Sequence, residues 1–262
     1  MLRMAASSDN KVSRNRVHPR PKIFKTNTAM KKPKKYYPPL LPGRFFHIFN
    51  RGNNGDNLFY QERNYAYFLR KYFGYLSPVM DTYCYCLLPN HFHILVRVKE
   101  ETVVIGHKEA SKAGARDAIP TSVGAGRRDG VPGQHEAALW VSELFRRFFL
   151  GYSQAIRKQE GRTSSLFQKN FKRLEVDSYN YLTSLVLYIH ANAQLHGLCS
   201  DFREYGYSSY EIFSHTLETP IRRDEVLEWF GSYPAFVQAH LERADLDLID
   251  PALIEEDPFA SK

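Results

Sequence analysis

The chain predicts an α+β fold built on a ferredoxin-like sheet with helices on one face, and three observations carry that expectation. Segments with a two-residue apolar period and segments with helical spacing follow one another as strand–helix–strand–strand–helix–strand, the ferredoxin-like order. A His-x-His pair lies inside an apolar, β-branched run, Leu87-Leu88-Pro89-Asn90-His91-Phe92-His93-Ile94-Leu95-Val96. About a hundred residues on, Leu182, Leu185, Val186 and Ile189 recur at i, i+3, i+4 and i+7, the stripe of an amphipathic helix.

The elements follow in order. Residues 44–51 read as a first strand and 64–76 as a helix rich in Tyr and Phe. Residues 82–88 and 91–98 form a strand pair joined tightly near Pro89-Asn90. The stretch at about 101–138 is rich in Gly, Ala, Arg and Ser, holds no sustained period, and reads as a flexible insertion. Residues 139–160 form a second helix, with Leu144, Phe148, Tyr152 and Ile156 on one face. Residues 171–176 supply the last strand, and the helix around 181–198 stops at Gly197. Beyond residue 210, segments 221–230 and 235–243 read as two helices of a small acidic appendage, 211–262.

A length of 262 residues with 43% hydrophobic and 14% aromatic content supports one sizeable core with embellishments. No run approaches the 18 or more apolar residues of a membrane span. The first residues lack the apolar stretch of a secretory signal. Three cysteines, Cys84, Cys86 and Cys199, make no disulfide framework and suit a reducing cytoplasm. Charge is uneven. Residues 1–43 carry eleven Lys/Arg against one acid, Asp9, whereas 216–262 carry eleven acids against four bases. The basic arm, with Lys31-Lys32-Pro33-Lys34-Lys35, is too polar to build a core and reads as a flexible segment able to bind phosphates or simply to solubilise.

Candidate chemistry comes from two places. Alternate side chains of a strand share a face, so His91 and His93 project together while Phe92, Ile94 and Val96 take the other side. Two imidazoles fixed side by side supply half of a divalent-metal site. They also suit a plain solvated strand face, and with Cys84 and Cys86 they could hold zinc, although the spacing is not the usual Cys-x2-Cys knuckle. Tyr188 and Asn192 lie four apart and share a helical face. A phenol can act there as nucleophile and a carboxamide oxygen as metal ligand; Tyr188 can equally pack against the sheet. Lys169, Lys172 and Arg173 stand beside Phe167 and Phe171, a mixture suited to backbone contact and base stacking or to basic side chains snorkelling at the edge of a core.

From about residue 44 to 210 the chain resembles the REP-associated tyrosine transposase group of the single-tyrosine HUH transposases. The motifs that carry the resemblance are Phe46-His47-Ile48-Phe49-Asn50-Arg51-Gly52, Leu88-Pro89-Asn90-His91-Phe92-His93, Ser165-Leu166-Phe167-Gln168-Lys169-Asn170-Phe171-Lys172-Arg173 and Tyr188-Ile189-His190-Ala191-Asn192. Ala193 and Gln194 stand where that family usually carries Pro-Val. The resemblance implies an HUH endonuclease architecture over 44–210. It implies a sequence- and hairpin-specific single-stranded DNA endonuclease and strand transferase, with Tyr188 as the nucleophile of a 5′-phosphotyrosine intermediate. His91, His93 and Asn192 would hold Mg²⁺ or Mn²⁺, and Arg51, Lys169, Lys172 and Arg173 would contact DNA. The implied partner is single-stranded or hairpin DNA in a bacterial cytoplasm at the nucleoid, engaged by a monomer or a homodimer, with no membrane.

Two other classes compete. A hairpin-DNA-binding protein that has lost cleavage would keep the fold and form no adduct. A metal-dependent phosphatase or RNA-processing enzyme would reuse the histidine pair and turn over phosphate esters without trapping nucleic acid.

Overall fold

A computed structural model describes residues 37–114 and 132–243. The basic arm up to residue 36, the Gly/Arg-rich centre of the expected insertion and the acidic end of the chain lie outside the described residues.

Four strands form one antiparallel sheet: β1 (Phe45–Arg51), β2 (Met80–Leu88), β3 (His91–Val98) and β4 (Lys172–Val176), in the order β2-β3-β1-β4. This is the expected ferredoxin-like arrangement. The helices are α1 (Glu62–Leu76), α2 (Glu101–Gly114), α3 (Pro132–Glu160), α4 (Tyr179–Leu195), α5 (Arg223–Phe230) and α6 (Tyr233–Arg243).

The sheet has two unlike faces. Register pairs Phe46 with Val96, Ile48 with Ile94 and Asn50 with Phe92 on one side, and Phe49 with His93 and Arg51 with His91 on the other. The crossover helices α1 and α3 cover the first side. Phe68 of α1 meets Phe92 at 5.2 Å, Phe148 at 5.0 Å and Tyr152 at 5.2 Å between ring centroids, and such pairs add about 0.5–1.5 kcal/mol each beyond area burial. Both helices of the ferredoxin-like unit thus share one face, and α4, which follows the unit, covers the opposite one. Residues 182 and 185–193 of α4 are buried almost all round, because the helix is enclosed by the sheet on one side and by α6 on the other.

A bulge between Thr82 and Cys84 keeps Thr82 on the α1 side, where its Oγ1 meets the Tyr72 hydroxyl at 3.0 Å. The same bulge turns Cys84 and Cys86 toward α4. A capping box between Gln61 and Asn64 starts α1. Ser178 caps α4 by accepting from the Tyr181 N–H.

Two expectations differ from what is found. The stretch read as an unstructured insertion is helical at both ends: α2 takes 101–114 and α3 already starts at Pro132. Trp140 Nε1–H donates to His107 Nδ1 at 3.1 Å, joining the two. The pattern concealed this because α2 buries little besides Val104, so no apolar stripe shows. As far as residue 243, the expected appendage is built into the fold. Thr82 bridges Ile221, Trp229 stacks on Tyr83 at 4.9 Å, and Arg222 pairs with Asp81 at 2.7 Å.

Candidate active site on the histidine face of the sheet

The α4-covered face carries four histidines. His47, His91 and His93 come from β1 and β3, and His196 from the end of α4. His91 and His93 stand 5.3 Å apart between ring centroids. His91 Nδ1–H donates to Asn90 Oδ1 at 2.7 Å, which leaves the lone pair on Nε2. His93 Nδ1 shares a 2.9 Å hydrogen bond with His47 Nε2. Both Nε2 atoms lie buried, on the sheet face that α4 covers.

From α4, Tyr188 stands edge-on to His93 at 5.6 Å and to His47 at 6.3 Å. Two turns later, His196 stands edge-on to His91 at 4.7 Å. Asn192 lies between them on the same helical stripe, four residues from each. It is fully buried, and neither Oδ1 nor Nδ2 meets a hydrogen-bond partner among the described residues. An amide buried in this way costs about 1–3 kcal/mol. Its oxygen is a donor that a hard cation accepts.

The residues present therefore fit a divalent metal held by His91 Nε2, His93 Nε2 and Asn192 Oδ1. Among the described residues no three of His, Cys, Asp or Glu converge as a metal cluster, so in such a site the third protein donor would be the amide. The same finding corrects the zinc alternative: Cys84 and Cys86 are buried as free thiols, burial pushes both well above their ordinary value, and they join no cluster with the histidines. Two imidazoles and an amide favour Mn²⁺ over Mg²⁺ on ligand softness.

Tyr188 is only 2% exposed. Its ring faces the histidines as the sequence suggested, but the seat of α4 on the sheet keeps a phosphodiester from reaching it. Attack by its hydroxyl requires that α4 shift or that the side chain swing toward the open end of the stripe, where His196 is half-buried.

Ala193 and Gln194 decide where that stripe ends. Gly197, at φ +67°, closes α4 with Gly197 N–H donating to Gln194 O and Leu198 N–H to Ala193 O, both at 2.9 Å, a Schellman motif. A proline at 193 would lose its N–H and crowd the carbonyl four residues back. Without one, the helix runs on to Leu195 and brings His196 against His91.

The expected DNA contacts separate by face. Arg51 pairs with His91 across the sheet, its guanidinium beside Gly55. Lys172 pairs with Phe49, and its Nζ lies 5.9 Å from that ring, which itself stacks on His93 at 5.7 Å. Both cations border the histidine face. Lys169 is exposed in the loop before β4. Arg173 is different: it pairs with Ile48, on the α1/α3 side. Its Nε–H donates to Pro38 O at 2.6 Å, its guanidinium covers Phe171 at 5.0 Å, and burial pushes it down to about 10. It ties the lead-in segment to the sheet on the face opposite the histidines. The strand period forces this, since Lys172 and Arg173 must point to opposite faces.

Two site residues escaped sequence reasoning. His47 shares its face with Phe49 and Arg51 by simple alternation, so the signal was there. His196 continues the four-residue spacing of Tyr188 and Asn192.

Fold and site define an α+β protein whose histidine-bearing sheet face is closed by a tyrosine-bearing helix. No family model matches the chain, and no curated protein matches it. Among solved structures, the chain is similar to a "REP associates tyrosine transposase bound to a REP hairpin", with a TM-score of 0.45 and 16% identity over 73% of this chain and 90% of that one. Likeness at that level assigns no chemistry. Among the described residues, no helix is long and apolar enough to cross a membrane.

Proposed function

We propose that the protein is a metal-dependent, single-stranded DNA endonuclease and strand transferase that acts on hairpin DNA through Tyr188. The observation that carries this reading is Tyr188 edge-on to His93, with the buried and unsatisfied Asn192 amide one helical turn further along the same stripe. The motif resemblance along 44–210 points the same way.

Tyr188 Oη bonds to the scissile phosphorus as the bond from phosphorus to the 3′-oxygen breaks. The phenolic proton passes to solvent, and the released 3′-oxygen takes one up. The 5′-phosphotyrosine conserves the bond, so an incoming 3′-hydroxyl can reverse the step and rejoin strands. A divalent cation, when bound, polarises the phosphate and offsets the charge that develops on it. Arg51 and Lys172, at the border of the histidine face, hold the flanking backbone phosphates. Lys169 adds a further phosphate contact from the loop before β4.

The burial of Tyr188 favours a second reading, in which the protein binds hairpin DNA and no longer cleaves it. One experiment separates the two. The full chain is incubated with single-stranded hairpin DNA and Mn²⁺ and run on a denaturing gel, with Y188F alongside. Cleavage predicts a covalent adduct with the wild type and none with Y188F, both binding the hairpin within about twofold. A bound hairpin with no adduct from the wild type refutes the nuclease. Turnover of small phosphate esters without any nucleic-acid adduct would replace both readings with a phosphatase.

A further inference from the structure

We infer that His47 is a positioning residue: by accepting from His93 Nδ1–H, it holds the tautomer in which His93 Nε2 can bind the metal. This rests on the metal reading above and adds a residue to it. His47 lies on β1, 46 positions from His93, and is 5% exposed. Its Nε2 stands 2.9 Å from His93 Nδ1, and the two rings stack at 5.1 Å and 26°. Phe49 packs against both rings, 4.8 Å from His47 and 5.7 Å from His93.

The direction of this bond decides what His93 can do. When His93 Nδ1–H donates to His47, its buried Nε2 carries the lone pair. When His47 Nε2–H donates instead, the His93 proton sits on Nε2 and blocks a cation. His91 needs no such partner on another strand, because Asn90 Oδ1 can only accept and so fixes its tautomer. Partners of this kind orient metal-binding imidazoles and change affinity by about 10–100-fold.

The test is a Mn²⁺ titration of the DNA-free full chain, followed by the loss of the free-ion EPR signal. H47Q keeps an acceptor within reach of His93 and is expected to bind within about threefold of wild type. H47F fills the same space without an acceptor and is expected to bind about 10–100-fold more weakly, with its metal-free thermal unfolding recorded as the folding control. Should H47F not fold, H47N, whose amide is too short to reach, is expected to show the same loss. Wild-type affinity in H47F, or in H47N where H47F does not fold, overturns the role of His47 alone. A wild type that takes up no Mn²⁺ overturns the metal reading and this inference together.

Discussion

Tyr188 meets His93 edge to face, with ring planes at 87°, and one helical turn on, Asn192 carries a fully buried amide. Packing alone does not explain that amide. Replacing it tests whether the position serves a ligand. N192A removes two unsatisfied buried polar atoms and substitutes the best helix former, worth about 0.6 kcal/mol. The metal-free variant should therefore melt a few degrees higher than wild type, at about 2–4 °C per kcal/mol for a domain of this size. Mn²⁺ should raise the melting temperature of wild type and leave that of N192A unchanged. Thermal unfolding with and without Mn²⁺ reads both effects, and a large fall for the metal-free variant would mean that the amide is structural.

On its far side, α4 is tied to α6 through a chain of polar contacts. His190 Nδ1 meets His240 Nε2 at 2.9 Å, and His190 Nε2 meets Ser209 Oγ at 2.9 Å. Burial holds His240 down at about 4 and His190 well below its ordinary value. Both rings stay neutral in the folded chain, whereas an unfolded chain protonates its histidines below about 6.5. Stability contributed by the neutral rings is complete above that pH and falls as pH drops toward 4, by roughly 3 kcal/mol from His240. Urea unfolding at pH 7, 5.5 and 4 should show this decline, and H240Q should flatten it. An identical slope in H240Q would remove His240 as its source.

How far the sequence disclosed all this depended on whether a signal was local. The period-2 run through His91 and His93 and the helical spacing around Tyr188 are local, and strands, helix and shared face were readable from them. The same alternation separates Arg173 from Lys172, which a cluster of charges along the chain does not show by itself. His47 needs the β1–β3 register before its partnership with His93 exists, and nothing near it in the chain names that partner. His240 joins His190 across 50 residues, so the acidic composition of that segment said nothing of its packing. α2 lacked an apolar stripe altogether.

Lys172 and Arg173 are adjacent in sequence and opposed in space, which makes them a matched pair for DNA binding. K172A should weaken hairpin binding and lower the slope of log affinity against log salt by about one phosphate contact. R173A should leave both unchanged while lowering thermal stability through the lost Pro38 and Phe171 contacts. Gel-shift titrations at several salt concentrations distinguish them. Equal losses for both variants would put DNA on the α1/α3 side as well.

Gly52 sets the loop that frames Arg51. Its N–H donates to Asn90 O at 2.8 Å, and it bridges Phe167, so its backbone is held from two sides. A Cβ at this position would come within 1.8 Å of Asp56 O, and a backbone atom cannot yield as a side-chain tip can. G52A must therefore push residues 53–56 outward. That displacement breaks the 2.6 Å contact of Asp56 with Arg162 and disturbs Gly55, which the Arg51 guanidinium neighbours. Overpacking of this kind costs about 1–3 kcal/mol. G52A should melt several degrees lower than wild type and lose hairpin affinity to an extent similar to R51A, while Mn²⁺ binding at the histidine pair persists. Thermal unfolding, gel shift and Mn²⁺ titration of the one variant read the three effects separately, and an unchanged melting temperature would show that the loop has room the geometry denies it.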